Sequence, residues 1–124
     1  MPTPTYTVTP TDHYTLLHFT HLQGMPHYND ITKAVVTAIA QGSPNFVLDI
    51  SDLQYIDSVG LSLLITILTK SRNADGDVVL VQPDPKVLKM LIITKLQHLF
   101  DIKKDVASAA EVFLAQAPKM DIEN

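Results

Sequence analysis

The chain has 124 residues, 46% of them hydrophobic, and its 13 acidic and 9 basic side chains give a formal net charge of -4. This length predicts one domain, spanning residues 1–124, with a core large enough to need neither metals nor disulfides. The absence of cysteine excludes disulfides, thiolate metal sites and thiol nucleophiles. Lysines scattered over an acidic chain do not make the basic surface that binds nucleic acid, so direct nucleic-acid binding is disfavoured.

The sequence favours a protein without a membrane span. Its first residues contain no basic region followed by an apolar block, which is the pattern of a signal peptide. The apolar run between Asp57 and Lys70 is shorter than the roughly 20 residues that a helix needs to cross a bilayer. Together with the absence of cysteine, this leads us to expect a cytoplasmic location.

The N-terminal region has the pattern of a β-hairpin. Tyr6 and Val8 alternate with threonines, turn-forming residues occupy 10–13, and branched and aromatic residues return in 14–20. A loop that contains Gly24 and Pro26 should follow.

The first helix is predicted over 28–41. Ile31, Val35 and Ile39 recur at helical spacing, and the sequence QGSP at 41–44 is a stop signal. The next segment, 46–50, is short, apolar and rich in β-branched residues, which is typical of a buried strand.

A longer apolar run follows the loop at 51–55. Its Ile and Thr content would suit a strand, but about 14 residues without a turn signal, from Ser58 to Ser71, favour a helix of three to four turns. Because this helix is apolar on most sides, we expect it to be the most buried one. Asp57 and Ser58 stand where a helix needs an N-cap, so Ser58 is predicted at an exposed helix N-terminus.

The C-terminal half continues the alternation of strands and helices. A turn at 73–77 precedes a second buried strand at 78–81. A helix should follow the prolines at 83 and 85, with Val87, Leu88, Leu91 and Ile92 on one face. The pattern then predicts a connector with a strand in 96–102, and a last helix from about Asp105 that ends at Pro118, with a frayed tail.

These elements define an α/β fold. Strands that alternate with helices imply a mixed, mostly parallel sheet with crossover helices, an antiparallel hairpin at its start and about four helices in all.

Motifs for catalysis or for cofactor binding are missing from the sequence. There is no GxGxxG, no GxxxxGK[ST] and no HExxH, and residue 56 is Ile where a GxSxG nucleophile elbow requires Gly. A pair among Asp49, Asp52 and Asp57 could serve in acid–base catalysis. However, Asp52 is better explained as a loop residue and Asp57 as a helix cap. We therefore expect no enzyme activity, no cofactor and no metal. The histidines have no metal-binding spacing; they are His13, His18, His21, His27 and His98.

The residues alone leave Ser58 with two interpretations. One is a helix cap, and the other is an exposed site of covalent modification.

The sequences VLDISDLQYIDSVGLSLLITIL, GDVVLVQPDPKVLKML and LFDI resemble the STAS domain, and specifically the bacterial anti-sigma factor antagonists. The resemblance extends from about Thr7 to Leu114. The family signature, a D-S-S/A-G-L type element at the start of a helix, matches the run of residues Asp57, Ser58, Val59, Gly60 and Leu61.

This resemblance implies a partner-switching function. In the family, the serine after the Asp is phosphorylated by a kinase that is itself the anti-sigma factor; here that serine is Ser58. The unphosphorylated form would bind the kinase and release a sigma factor, and a serine phosphatase would restore it. Many members carry a G-E-L-D type sequence at the positions of residues 21–24, so the partner surface here would include Gln23, Gly24 and His27 instead of an acidic pair. The alternatives are a STAS scaffold or transporter-associated subunit without a phosphoswitch, and a small-ligand-sensing STAS domain.

Overall fold

A computed structural model describes residues 6–21 and 27–116 of the chain. The strands are Tyr6–Pro10 (β1), Thr15–Phe19 (β2), Phe46–Asp49 (β3), Val78–Val81 (β4) and Asp101–Lys103 (β5). The helices are Tyr28–Ala40 (α1), Ser58–Asn73 (α2), Pro85–Ile93 (α3) and Val106–Gln116 (α4), and a single 3-10 turn spans Leu96–His98. The predicted α/β architecture, with its N-terminal hairpin and four helices, is confirmed.

The five strands form one sheet in the order β1-β2-β3-β4-β5. Strand β1 pairs with β2 in antiparallel fashion, and the pairs β2-β3, β3-β4 and β4-β5 are parallel. Each parallel pair needs a crossover, which α1, α2 and α3 provide. Because all three connections step in the same direction along the sheet, right-handed crossovers place these helices on one face.

The two faces of the sheet bury separate apolar clusters. The larger cluster joins alternate strand residues, such as Leu17 and Leu48, to the apolar sides of α1, α2 and α3. The smaller one lies under α4 and consists mainly of Val47, Val79, Val81, Ala109 and Phe113. Helix α2 has seven buried residues, more than any other helix whose buried residues are described, as its apolar sequence predicted.

Two local expectations differ from the structure. In α3, Val87 and Leu91 are buried, but Ile92 is 50% exposed, so the prediction that it shares one face with them is wrong. Ile92 lies about 100° around the helix from Leu91, and with Val87 and Leu91 turned towards the core it falls outside the buried stripe. The strand expected within 96–102 is preceded by the 3-10 turn and covers only 101–103. The predicted tail beyond Pro118 lies outside the described residues.

Within the described parts of the chain, no helix is long and apolar enough to cross a membrane.

Candidate functional site

The loop between β3 and α2 is held in place by three side chains. Ile50, Leu53 and Ile56 occur at every third position and are at most 2% exposed. The amide of Leu53 also donates a hydrogen bond to the carbonyl of Ile50 at 3.1 Å. Asp52, Gln54 and Tyr55 between these anchors are exposed, which gives the loop a fixed path and an open outer surface.

Asp57 is the N-cap of α2. Its backbone is extended (φ -102°, ψ -178°), and its Oδ1 accepts a hydrogen bond from the amide of Gly60 at 2.8 Å. Its carbonyl accepts from the amide of Leu61 at 2.9 Å. The prediction that Asp57 caps this helix is confirmed, and the interpretation of Ser58 as the cap is wrong.

Ser58 is the first helical residue of α2, and it is exposed, as the sequence predicted. Of the four first-turn amides, those of Gly60 and Leu61 are bonded to Asp57. The amides of Ser58 and Val59 have no partner among the residues that the structure describes. An exposed hydroxyl therefore stands beside two free N–H groups at the positive end of a helix dipole.

Gly60 is required for steric reasons. A Cβ atom at this position would lie 2.7 Å from Cγ1 of Ile56, which is one of the buried anchors of the loop. The absence of a side chain lets the first turn of α2 pack directly against the loop. Gly60 thus helps to fix Ser58 relative to the residues that precede it.

A side-chain contact ties this loop to the neighbouring strand. Nε2 of His18 in β2 lies 2.8 Å from Oδ2 of Asp52, and the two side chains are 29% and 59% exposed. At the end of β3, Oδ1 of Asp49 accepts hydrogen bonds from both the amide and the hydroxyl of Ser51. The parallel register pairs His18 with Asp49, which brings His18 to the C-terminal end of the strands, where the loop begins.

The pairing of His18 with Asp52 was not predicted from the sequence. The period-2 alternation of TLLHF, which puts His18 opposite the buried Leu17 and Phe19, was the available signal. The local sequence does not predict the strand register that brings the imidazole of His18 to Asp52.

A cleft of about 390 Å³ lies beside the same loop. Its lining residues are Thr20, His21, Asp52, Leu53, Gln54 and Tyr55.

The start of α1 contacts the middle of α2 through hydroxyl groups. The hydroxyl of Tyr28 lies 2.8 Å from Oγ1 of Thr66. Hydrogen bonds with Thr66, and then with Ser62, lower the pKa of the Tyr28 phenol below its ordinary value of 10.0. Ser62 is exposed and lies four residues after Ser58, so both hydroxyls share one side of α2.

The remaining predicted partner-binding residues are only partly described. His27 immediately precedes α1, where its ring centroid is 5.8 Å from that of Tyr6 and its Nδ1 is 3.7 Å from Oδ2 of Asp30. Its neighbour Tyr28 contacts α2, so the structure brings this end of α1 beside that helix. Gln23 and Gly24 lie outside the described residues. Val59, next to Ser58, is 41% exposed.

The three aspartates of this region do not form a carboxylate pair. Asp49 is bonded to Ser51, Asp52 to His18, and Asp57 to Gly60. Within 6–21 and 27–116, no group of three or more His, Asp or Glu side chains is arranged to hold a metal ion.

The sheet order, the three helices on one face and the serine at the start of α2 define a domain of the STAS class. Residues 24–109 match the model of the STAS domain family, and the chain belongs to this family. The predicted family membership is confirmed.

Similar proteins carry the name anti-sigma factor antagonist. BtrV of Bordetella bronchiseptica is 27% identical over 81 residues, which are 65% of this chain and 70% of that protein. An antagonist of Thermotoga maritima is 31% identical over 71 residues, 57% of this chain and 63% of that protein.

Solved structures of antagonists share the fold. The T. maritima antagonist TM1081 has a TM-score of 0.78 at 24% identity and covers 88% of this chain and 94% of its own. Unphosphorylated SpoIIAA has a TM-score of 0.75 at 16% identity, with 92% and 99% covered. Phosphorylated SpoIIAA of Bacillus has a TM-score of 0.69 at 17% identity, with 86% and 98% covered.

Proposed function

We propose that this protein is an anti-sigma factor antagonist whose binding is switched by phosphorylation of Ser58. The unphosphorylated form binds an anti-sigma factor that is a serine kinase, and the bound kinase releases its sigma factor. The observation that carries the proposal is the exposed hydroxyl of Ser58 at the first position of α2, beside the free amides of Ser58 and Val59.

The site can accept a phosphate without losing its structure. The capping bonds of α2 come from Asp57, so modification of Ser58 removes none of them. A phosphoryl group at this position meets unpaired amides and the positive end of the helix dipole. Phosphorylation therefore changes the charge of the surface and leaves the fold in place.

The added charge is large enough to act as the switch. A phosphoserine carries about -1.5 to -2 charges, next to the carboxylate of Asp57. A like charge on a docked partner at about 4 Å would cost roughly 4 kcal/mol at an effective dielectric constant near 20. At about 1.4 kcal/mol for each factor of ten, the partner would bind nearly a thousandfold more weakly.

The surface around Ser58 suits a protein partner. Tyr55, three residues before the serine, and Val59, directly after it, are 53% and 41% exposed. The proposed contact surface comprises Asp57, Ser58, Val59 and Gly60, with Gln23, Gly24 and His27 from the connection before α1. Exposed apolar side chains near Ser58 can supply binding affinity for a protein partner, and phosphorylation of the serine can then lower that affinity.

The likeness to named antagonists supports this assignment, since one of them, SpoIIAA, has been solved in both unphosphorylated and phosphorylated forms. In the proposed cycle, the partner kinase catalyses phosphoryl transfer and this chain is the substrate. A serine phosphatase would remove the phosphate, and both reactions would take place in the cytoplasm with the sigma factor.

Phosphorylation can be tested with ATP and each serine-kinase anti-sigma factor of the same genome, followed by mass spectrometry. We expect one phosphate on the wild type and none on Ser58→Ala. Ser62→Ala is the matched control, because Ser62 is exposed on the same side of α2, and it should be modified like the wild type. Incorporation that persists in Ser58→Ala, or no incorporation with any of these kinases, would contradict the proposal.

A further inference from the structure

Strand β1 forms an edge of the sheet and is open to solvent. Among the strands that the structure describes it pairs only with β2, and four of its five residues, Thr7 to Pro10, are exposed. The sequence from Pro2 to Thr11 contains no charged side chain. Edge strands in soluble proteins are commonly protected by lysines or other charges, and β1 lacks this protection.

The hydrogen-bond pattern shows which backbone groups of β1 point outwards. The amide of Thr11 donates to the carbonyl of Tyr14, while the amide of Thr15 donates away from β1, to Asn45. In the antiparallel register, Pro10 faces Thr15, so this pair is not hydrogen-bonded.

Hydrogen-bonded pairs alternate along an antiparallel ladder. Thr7 and Thr9 therefore bond to β2, whereas Tyr6, Val8 and Pro10 direct their backbone groups outwards. Pro10 has no N–H, which suits an outward position on an edge strand.

An uncharged groove runs along the same edge. It has a volume of about 450 Å³ and lies between β1 and α1. Val8 and Pro10 line it from the strand, and Ala34, Thr37 and Ala38 line it from the helix. A strand added to β1 would place every second side chain above this groove, because side chains of paired residues lie on the same face.

We propose that β1 pairs with β1 of a second copy of this chain, in antiparallel orientation about a twofold axis at Val8. The two five-stranded sheets then become one ten-stranded sheet. Val8 of each copy faces Val8 of the other, and Tyr6 faces Pro10.

The backbone groups of β1 are complementary to themselves in this register. The two outward amides of each copy, at Tyr6 and Val8, meet the carbonyls of Pro10 and Val8 in the other copy, so every outward donor is bonded. The pairing brings no like-charged side chains of the two strands together. An uncharged strand that carries Val8 also fits the uncharged groove beside α1. These features select a second copy over a charged partner.

Disulfide trapping tests the contact directly, because the chain has no cysteine of its own. In the proposed register, the Cα atoms of the two Val8 residues are about 5.5 Å apart, within the range of a disulfide. We expect Val8→Cys to form a covalent dimer under native oxidising conditions. Thr7→Cys, one residue away, should form no disulfide-linked dimer, since two Thr7 residues are not opposite each other. A mixture of Thr7→Cys and Thr9→Cys should cross-link, because these positions are opposite.

The second measurement is sedimentation equilibrium at up to about 1 mM protein, which reveals dissociation constants up to that value. The wild type should be a dimer whose association is lost in Val8→Pro. That variant removes an outward amide and leaves the ladder to β2 intact, so its circular dichroism should match the wild type. A wild type that is monomeric throughout, or a Val8→Cys protein that cross-links no better than Thr7→Cys, would overturn the proposal. The proposed dimer does not depend on the function of Ser58.

Discussion

Helices α2 and α4 begin in nearly the same way. Each follows a strand of the parallel part of the sheet, and each is capped by an aspartate whose carboxylate accepts from the amide three residues later. The distances are 2.8 Å from Asp57 to Gly60 and 2.7 Å from Asp105 to Ser108. In both, the carbonyl of the aspartate accepts from the amide four residues later.

The two helices differ in the residue that follows the cap. In α2 it is the exposed Ser58, and in α4 it is Val106, which packs against the smaller apolar cluster. An aspartate thus caps α2, α3 and α4, though not α1, whereas among the described helices a serine occupies the first position in α2 alone. Capping and switching are separate roles, held by neighbouring residues, and α4 supplies controls for α2.

The largest expected effect is on partner binding. Ser58→Asp places a permanent negative charge at the start of α2 and should weaken binding to the anti-sigma kinase by up to about a thousandfold. Isothermal titration calorimetry measures this change. Ala107→Asp puts the same charge in the exposed first turn of α4 and should bind like the wild type. Equal binding by all three proteins would contradict a role for Ser58 charge, and loss of the circular dichroism spectrum in Ser58→Asp would point to a structural role.

Gly60 should tolerate no side chain. Alanine normally stabilises a helix by up to about 1 kcal/mol relative to glycine. In Gly60→Ala, however, the new Cβ would lie 2.7 Å from Cγ1 of Ile56, and overpacking of this kind costs about 1–3 kcal/mol. Urea denaturation should show a lower free energy of unfolding. Ile56→Ala removes this Cγ1 atom, so Gly60→Ala should cost less stability in the Ile56→Ala background than in the wild type; an equal cost in both backgrounds would contradict the steric explanation.

Removal of either cap should lower the free energy of unfolding by a similar amount, but only removal of the α2 cap should affect phosphorylation. Asp57→Ala and Asp105→Ala should each lower the free energy of unfolding by about 1 kcal/mol. Only Asp57→Ala should also slow the phosphorylation of Ser58, because its cap positions the turn that holds the serine. Denaturant titration and a phosphorylation time course measure the two quantities. Equal phosphorylation rates in both variants would show that the position of this turn does not matter to the kinase.

The smallest effect is a dependence on pH. The backbone amide of Ser108, and then its side chain, hold the pKa of Asp105 below its ordinary value of 3.8. A lowered pKa in the folded state gives a stabilisation that is present above the unfolded-state value and is lost as pH falls through the folded-state value. The stability difference between wild type and Asp105→Asn should therefore shrink as the pH falls from about 5 to below the ordinary value of 3.8. A difference that stays constant over this range would exclude this role of the carboxylate.

The sequence predicted most of the fold because its signals are local. The buried strands at 46–49 and 78–81 are apolar and short, and the length of the run after Ser58 identifies a helix. The cap at Asp57 follows from residue chemistry alone. The predictions were less accurate where apolar residues surround a short helix, as at Ile92, because the face that meets the sheet is then decided by packing.

The sequence predicted the position of Ser58 in the candidate site, but not the side-chain contacts around it. Ser58 could be placed because one residue type at a helix start carries the signal. The contacts of His18 with Asp52 and of Tyr28 with Thr66 join residues 34 and 38 positions apart. Such pairs depend on strand register and helix packing, which no local pattern specifies.

The buried anchors of the β3-α2 loop also bear on the speed of the proposed switch. Ordering a flexible residue costs roughly 1–2 kcal/mol of conformational entropy, and a loop already fixed by Ile50, Leu53 and Ile56 avoids most of that cost on docking. A partner that encounters Ser58 meets a preorganised surface, so its association rate depends on collision and electrostatic steering, with no wait for refolding. Regulation can then follow the supply of kinase and phosphatase directly.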